Sequence, residues 1–187
     1  VESVAPGTVR ECREFVKKYN DVENFDIYGN ERYIYQYISD LYPEEQLIFD
    51  IDKIKLTTID IEVKSENGFP DVESCAEEIL LISMQDYKTK QIRTWGLGEF
   101  NNKQENVIYK SFRTEYELLH DFIHWWMIEG NTPEVITGWN SKLYDIPYVC
   151  RRLNRVLGGK LMKRMSPWGL VTECETFIAG RKHISYD

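Results

Sequence analysis

Thr57-Thr58-Ile59-Asp60-Ile61-Glu62-Val63 is the stretch on which the fold turns. Every second residue is apolar, the period of a strand with one face in a core. Ile59, Ile61 and Val63 then point inward, while Asp60 and Glu62 share the opposite face, about 6.6 Å apart along the backbone. Two carboxylates at that spacing repel by roughly 3 kcal/mol at an effective dielectric near 20. A mid-sheet position would add desolvation. A divalent cation between them reverses both terms, since Mg²⁺ and Mn²⁺ take carboxylate oxygens. An exposed acidic strand face accounts for this segment equally well.

Outward from this strand, the apolar pattern predicts strands over Ile54–Val63, Glu78–Gln85, Gln91–Gly96 and Val107–Phe112, the second and third joined by a polar turn at Lys88–Lys90. Thr114 and Glu117 then have capping-box spacing, and Leu118, Leu119, Phe122, Ile123, Trp125 and Trp126 form an apolar helical stripe that Gly130 closes. A short strand, Glu134–Gly138, leads through a polar loop to a helix from about Asp145 to Leu157, closed by Gly158-Gly159. Strands, helix, strand, helix is the order of an α/β, ribonuclease-H-like mixed sheet with flanking helices. Towards the N-terminus, Thr8 and Glu11 repeat the capping-box spacing before a helical run of Val9, Cys12, Phe15, Val16 and Tyr19. A turn at Tyr28-Gly29-Asn30 precedes Arg32–Ile38, whose alternating tyrosines predict a strand that packs on a neighbour or stacks bases. Pro43-Glu44-Glu45 marks a break, so residues 1–48 are expected to be a small α+β piece and 49–187 the main domain.

The 187 residues carry a net charge of −8, which excludes coating of nucleic acid through bulk electrostatics. The charge is unevenly placed: Arg151, Arg152, Arg155, Lys160, Lys163, Arg164, Arg181 and Lys182 crowd the last forty residues or so. Such a section either guides a phosphate chain or forms a solvated helix face and loop. Four scattered cysteines without a CxxC pair read as reduced thiols of a cytosol. No apolar run approaches a membrane span and no basic-then-apolar leader precedes the first helix. His120 and His124 have metal spacing but share a face with Glu117 and Asp121, which predicts a solvated surface. Gly96-Leu97-Gly98 lacks the third glycine of a dinucleotide loop. Both ends read as cut, beginning at Val1 and stopping just after the strand-like Arg181–Tyr186.

The other chemical stretch is Gly138-Trp139-Asn140-Ser141-Lys142-Leu143-Tyr144-Asp145-Ile146-Pro147-Tyr148. Taken alone, Asp145 is most simply a helix N-cap with Pro147 in the first turn. Taken with Asp60-Ile61-Glu62, it completes a specific combination. The two segments resemble the first and second motifs of the proofreading 3′→5′ exonuclease domain of family B DNA polymerases, most closely those of T-even-like bacteriophages. Tyr37-Ile38-Ser39-Asp40 looks like the end of that family's N-terminal domain, and Phe69-Pro70-Asp71 is similar to its loop after the first motif. Met162-Lys163-Arg164 with Ser166-Pro167 and Gly169 resembles its lead into a β-hairpin.

The resemblance implies a DEDD-type nuclease with two divalent metal ions, Mg²⁺ or Mn²⁺. Asp60 would touch both, Glu62 the first and Asp145 the second, largely through water. It implies that Phe69 wedges against the last unpaired bases and that Asn140 and Tyr144 belong to the DNA-binding surface. The partners it implies are the single-stranded 3′ end of a primer and the remainder of a polymerase chain, in the cytoplasm of an infected bacterial host. The family's third motif, Tyr-x-x-x-Asp, is absent. His183-Ile184-Ser185-Tyr186-Asp187 imitates its spacing, but on a strand-like stretch too soon after Asp145. These residues alone are therefore expected to cut poorly, with self-association where the sheet is left open. Two rivals remain, a non-catalytic single-stranded-DNA-binding fragment and another ribonuclease-H-like nuclease such as a resolvase.

Overall fold

The computed structural model describes residues 4, 7–27, 33–43, 50–66 and 68–186. The chain divides into two compact units, Val1–Phe49 and Asp50–Asp187. In the first, helix α1 (Val9–Tyr19) starts as its sequence predicts, with Thr8 accepting from Glu11 N and the Glu11 carboxylate accepting from Thr8 N. The expected strand at Arg32–Ile38 is a helix instead, α2 (Tyr33–Leu41). Tyr33, Ile34, Tyr37, Ile38 and Leu41 recur at helical intervals as well as alternating, and a strand needs a ladder partner to satisfy its backbone. The helical pattern satisfies it locally and continues past the segment, where Tyr42 N donates to Ile38 O. Arg32 itself, the expected turn at Tyr28-Gly29-Asn30 and most of the Pro43–Glu45 break lie outside the described residues.

The second unit is built on a five-stranded mixed sheet of β1 (Leu56–Val63), β2 (Ile79–Asp86), β3 (Ile92–Leu97), β4 (Val107–Phe112) and β5 (Val135–Thr137). Their order is β4-β3-β2-β1-β5. The first three run antiparallel in sequence, whereas β4 lies parallel to β3 and β5 parallel to β1. Helices α3 (Glu115–Trp126) and α4 (Asp145–Leu157) cover one face. Ile59 and Ile61 of β1, Ile82 and Met84 of β2 and Trp95 of β3 pack there against Leu118, Phe122, Tyr148 and Leu153. A short α5 (Gly159–Met162) follows, and then the antiparallel hairpin β6 (Glu173–Ile178) and β7 (Arg181–Tyr186). This is the α/β, ribonuclease-H-like arrangement, and β7 coincides with the strand expected at Arg181–Tyr186. The imitation of the third motif therefore begins on a hairpin strand, with Asp187 outside the described residues.

A buried ion pair locks the two helices to the sheet. The guanidinium of Arg152 on α4 grips the carboxylate of Glu115, the first residue of α3, through Nε at 2.8 Å and through Nη2. Glu115 Oε1 also accepts from Ile79 N at 2.8 Å, where β2 begins, and Arg152 Nη1 donates to the carbonyls of Cys75 and Ala76. Removing one partner of such a pair leaves the other charged and buried, at a cost of about 3–5 kcal/mol. Glu115→Ala should therefore lower the unfolding free energy by about that much in urea titration. A Glu115→Leu, Arg152→Met double variant, which buries no charge, should lose far less.

Candidate functional site

Asp60 and Glu62 stand on the exposed face of β1, opposite Ile59 and Ile61, as the alternation predicts. The expected desolvation is absent, because both are exposed. Asp60 lies opposite Ser83 and Glu62 opposite Leu81, and the register then shifts so that Val63 faces Ile79. That irregularity ends regular pairing next to the carboxylates. None of the described ion pairs includes Asp60 or Glu62.

Asp145 is not the helix N-cap. Tyr144 holds that position without a side-chain bond, and Asp145 is the first helical residue. Its side chain crosses to the sheet, where Oδ1 accepts from Ile61 N at 3.1 Å. The reason lies in the topology. β5 pairs with β1 only from Leu56 to Thr58, so past that point the outward N–H of Ile61 has no strand to meet. The carboxylate of Asp145 takes the place of the missing strand. β5 leaves at Gly138, whose Cβ, if it had one, would sit 2.5 Å from the carbonyl oxygen of Ile59. Only glycine allows that approach. Asp145 is 3 % exposed, and burial pushes its carboxyl above the ordinary range. The Ile61 bond opposes this shift, and the charges of Asp60 and Glu62 add to it. Asp145 thus feels both strand carboxylates from the start of α4.

Phe69, from the loop after β1, is 82 % exposed, so it is no core anchor. Its ring lies 4.9 Å from that of Tyr144, which in turn neighbours Tyr148 at 5.6 Å. Burial, followed by the charges of Asp145, Cys75 and Glu62, pushes the Tyr144 hydroxyl up to about 12. Asn140 is exposed in the left-handed region, with φ of 57°, and its carbonyl accepts from Leu143 N and Tyr144 N, each at 3.0 Å. Beside it, Trp139 is 95 % exposed. Sequence reading gave Trp139 no role, although a tryptophan between Gly138 and Asn140 at the head of a polar loop was a visible signal.

Other candidates are placed elsewhere. His120 and His124 are exposed, their rings 4.0 Å apart. Asp121 leaves that surface, accepting from Trp95 Nε1 at 2.9 Å and pairing with Lys110, because the buried indole needs an acceptor. Much of the basic section is also spoken for: Arg151, Arg152 and Arg155 donate to carbonyls of residues 72–76, and Lys182 pairs with Glu73 and Glu175. A solvated face does not describe half-buried Arg151 and buried Arg152, whereas Arg155 and Lys182 make these bonds while exposed. Unpaired carbonyls in an irregular loop draw guanidinium donors.

The model of the DNA polymerase family B exonuclease domain matches residues 13–179. The chain belongs to that family. It is 27% identical over 186 residues to the DNA-directed DNA polymerase of Escherichia phage RB69, an overlap covering 86% of this chain and 20% of the phage protein. The corresponding enzyme of Enterobacteria phage T4 is 28% identical over 189 residues, covering 88% and 20%. The DNA polymerase catalytic subunit of Human herpesvirus 7 (strain JI) is 32% identical over 105 residues, covering 53% and 10%. The chain thus spans about a fifth of the length of the phage relatives. An exonuclease domain of this family implies dependence on divalent metal. Among the described residues, no three His, Cys, Asp or Glu side chains stand close enough together to hold an ion as placed. The donor set nevertheless fits a hard cation in its chemistry: three carboxylates, one buried against its charge, the other two exposed.

A raised carboxyl favours the neutral form in the folded state. Its contribution to stability is complete below the ordinary value of 3.8 and is lost as pH rises through the folded value. Asp145→Asn keeps an acceptor for Ile61 N and carries no charge. In chelator at pH 7 it should melt above the wild type, with the gap closing as the pH falls towards 3.8. An Asn variant that melts no higher at neutral pH would show that the Ile61 bond outweighs burial.

Proposed function

We propose that Asp60, Glu62 and Asp145 are the metal-binding and catalytic carboxylates of a proofreading 3′→5′ exonuclease, acting within a DNA polymerase on the single-stranded 3′ end of its primer. The observation that carries this reading is the buried Asp145 carboxylate, held at Ile61 N beside two strand carboxylates that lack a cationic partner among the described residues. Two divalent ions, Mg²⁺ or Mn²⁺, supply Lewis-acid activation of a water and stabilisation of the departing 3′ oxygen when bound. Asp60 and Glu62 offer exposed oxygens from a rigid strand, and Asp145 is oriented by its backbone bond. Phe69 and Tyr144 present an aromatic face to the terminal bases, and Asn140 positions the end nucleotide from its left-handed turn.

The partner, on this reading, is the remainder of a polymerase chain, and the setting is the cytoplasm of an infected bacterial host. Residues 1–48 are, on this reading, part of the polymerase N-terminal domain, and 49–187 belong to the exonuclease domain. No helix among the described residues is long and apolar enough to cross a membrane. A second reading, that these residues by themselves hold single-stranded DNA without cutting it, is favoured by the count of carboxylates. Three are present where the resemblance implies four.

Metal binding tests the carboxylates. Mn²⁺ titrated calorimetrically should bind Asp60→Ala and Asp145→Ala at least about 10-fold more weakly than the wild type. Equal affinities would remove the reading. The aromatic face is tested by Phe69→Ala, which should weaken binding of an oligothymidylate roughly 5- to 150-fold, the equivalent of one lost stacking contact. Its melting temperature should barely change, because the ring is exposed. A large fall in stability with unchanged affinity would assign Phe69 to packing instead.

A further inference from the structure

After Phe69, the loop closes into a tight turn. Asp71 Oδ2 accepts from Ser74 N at 2.6 Å, and Asp71 O from Cys75 N at 2.9 Å. Cys75 sits at φ of 45°, a conformation unfavourable for a residue with a Cβ that persists only when its surroundings impose it. Here α4 imposes it, since Arg152 and Arg155 converge on the Cys75 carbonyl at 3.0 and 2.9 Å.

Arg151 does something its neighbours do not. From α4, its Nη1 donates to Val72 O at 3.2 Å and to Glu73 O, while Nε and Nη2 grip Glu173 of β6 at 3.2 and 2.7 Å. Glu173 also accepts from Tyr186 of β7 at 2.6 Å, and Lys182 of β7 returns to Glu73 at 3.1 Å. One guanidinium therefore joins a helix, a loop and a hairpin. It stands six residues after Asp145, about 9 Å along a continuous helix.

We propose that Arg151 is a positioning residue, fixing the Phe69 loop and the β6–β7 hairpin relative to Asp145 so that the aromatic face and the carboxylates meet the same nucleotide end. The inference rests on the reading of Phe69 as a base contact. An arginine reserved for phosphate would keep donors free, whereas all three guanidinium nitrogens of Arg151 are engaged and its side chain is 19 % exposed.

The test is a double-mutant cycle between Arg151→Ala and Phe69→Ala. Both are measured in chelator, with an oligothymidylate carrying 2-aminopurine at its 3′ end, reading the dissociation constant, the stacking-dependent quench and the salt dependence. Arg151→Ala should weaken binding about 3- to 10-fold and relieve the quench, yet cost nothing further in a Phe69→Ala background. Its salt slope should match that of the wild type. Glu173→Gln, which leaves α4 untouched, should give the same coupling in weaker form should Arg151→Ala fold poorly. Additive losses, or a salt slope reduced by about one, would make Arg151 a direct phosphate contact and overturn the proposal. No loss in either variant would overturn it too. If Phe69→Ala itself changes neither affinity nor quench, the base-contact reading fails first, and this inference falls with it.

Discussion

The buried pairing of Arg152 with Glu115 is the contact on which the rest of the second unit depends. Between Val63 and Ile79 the chain has left the sheet, and its carbonyls need donors from elsewhere. A planar guanidinium with five N–H groups meets that need in a single residue: two directions go to the carboxylate and a third to the carbonyls of Cys75 and Ala76. Such a pair contributes little net stability against an apolar alternative. What it does fix is the rotation of α4 about its own axis. Consecutive helical residues differ by about 100°, so slipping the register by one would carry Arg152 away from Glu115 and Asp145 away from Ile61 N together. The polar lock in the core and the carboxylate at the site are two ends of one helical register.

The sheet and its two helices were legible because each buries one face, and burial leaves a period in the sequence. Ile59 and Ile61 against Asp60 and Glu62, or the Leu118–Trp126 stripe behind its Thr114 cap, state their direction locally. Tyr33–Leu41 was misread because its apolar residues satisfy both periods, and periodicity cannot choose between them without knowing whether a strand partner exists. That Asp145 comes within electrostatic reach of Asp60 and Glu62 was legible only through motif resemblance, since its approach to β1 is a product of topology. The roles of Arg151, Arg152 and Arg155 were not legible at all. Their acceptors are backbone carbonyls and carboxylates 22 to 81 residues away, and a carbonyl carries no mark in a sequence.

The site forms where the sheet stops being regular. β5 accompanies β1 for three residue pairs and departs at a glycine pressed against the Ile59 carbonyl. The ladder position thereby vacated is filled by a side chain in place of a strand, and that side chain is ionisable. A backbone partner at Ile61 N would have been neutral and inert. A carboxylate there satisfies the same donor and brings a charge into a buried position, beside two like charges on the neighbouring face. Burial alone would suppress that charge, because 3 % exposure leaves little water to solvate it. Burial, with the charges of Asp60 and Glu62 adding to it, therefore favours the protonated carboxyl, against the pull of the Ile61 N–H. The same broken pairing that lets α4 start against the sheet therefore places a buried carboxylate within electrostatic reach of Asp60 and Glu62.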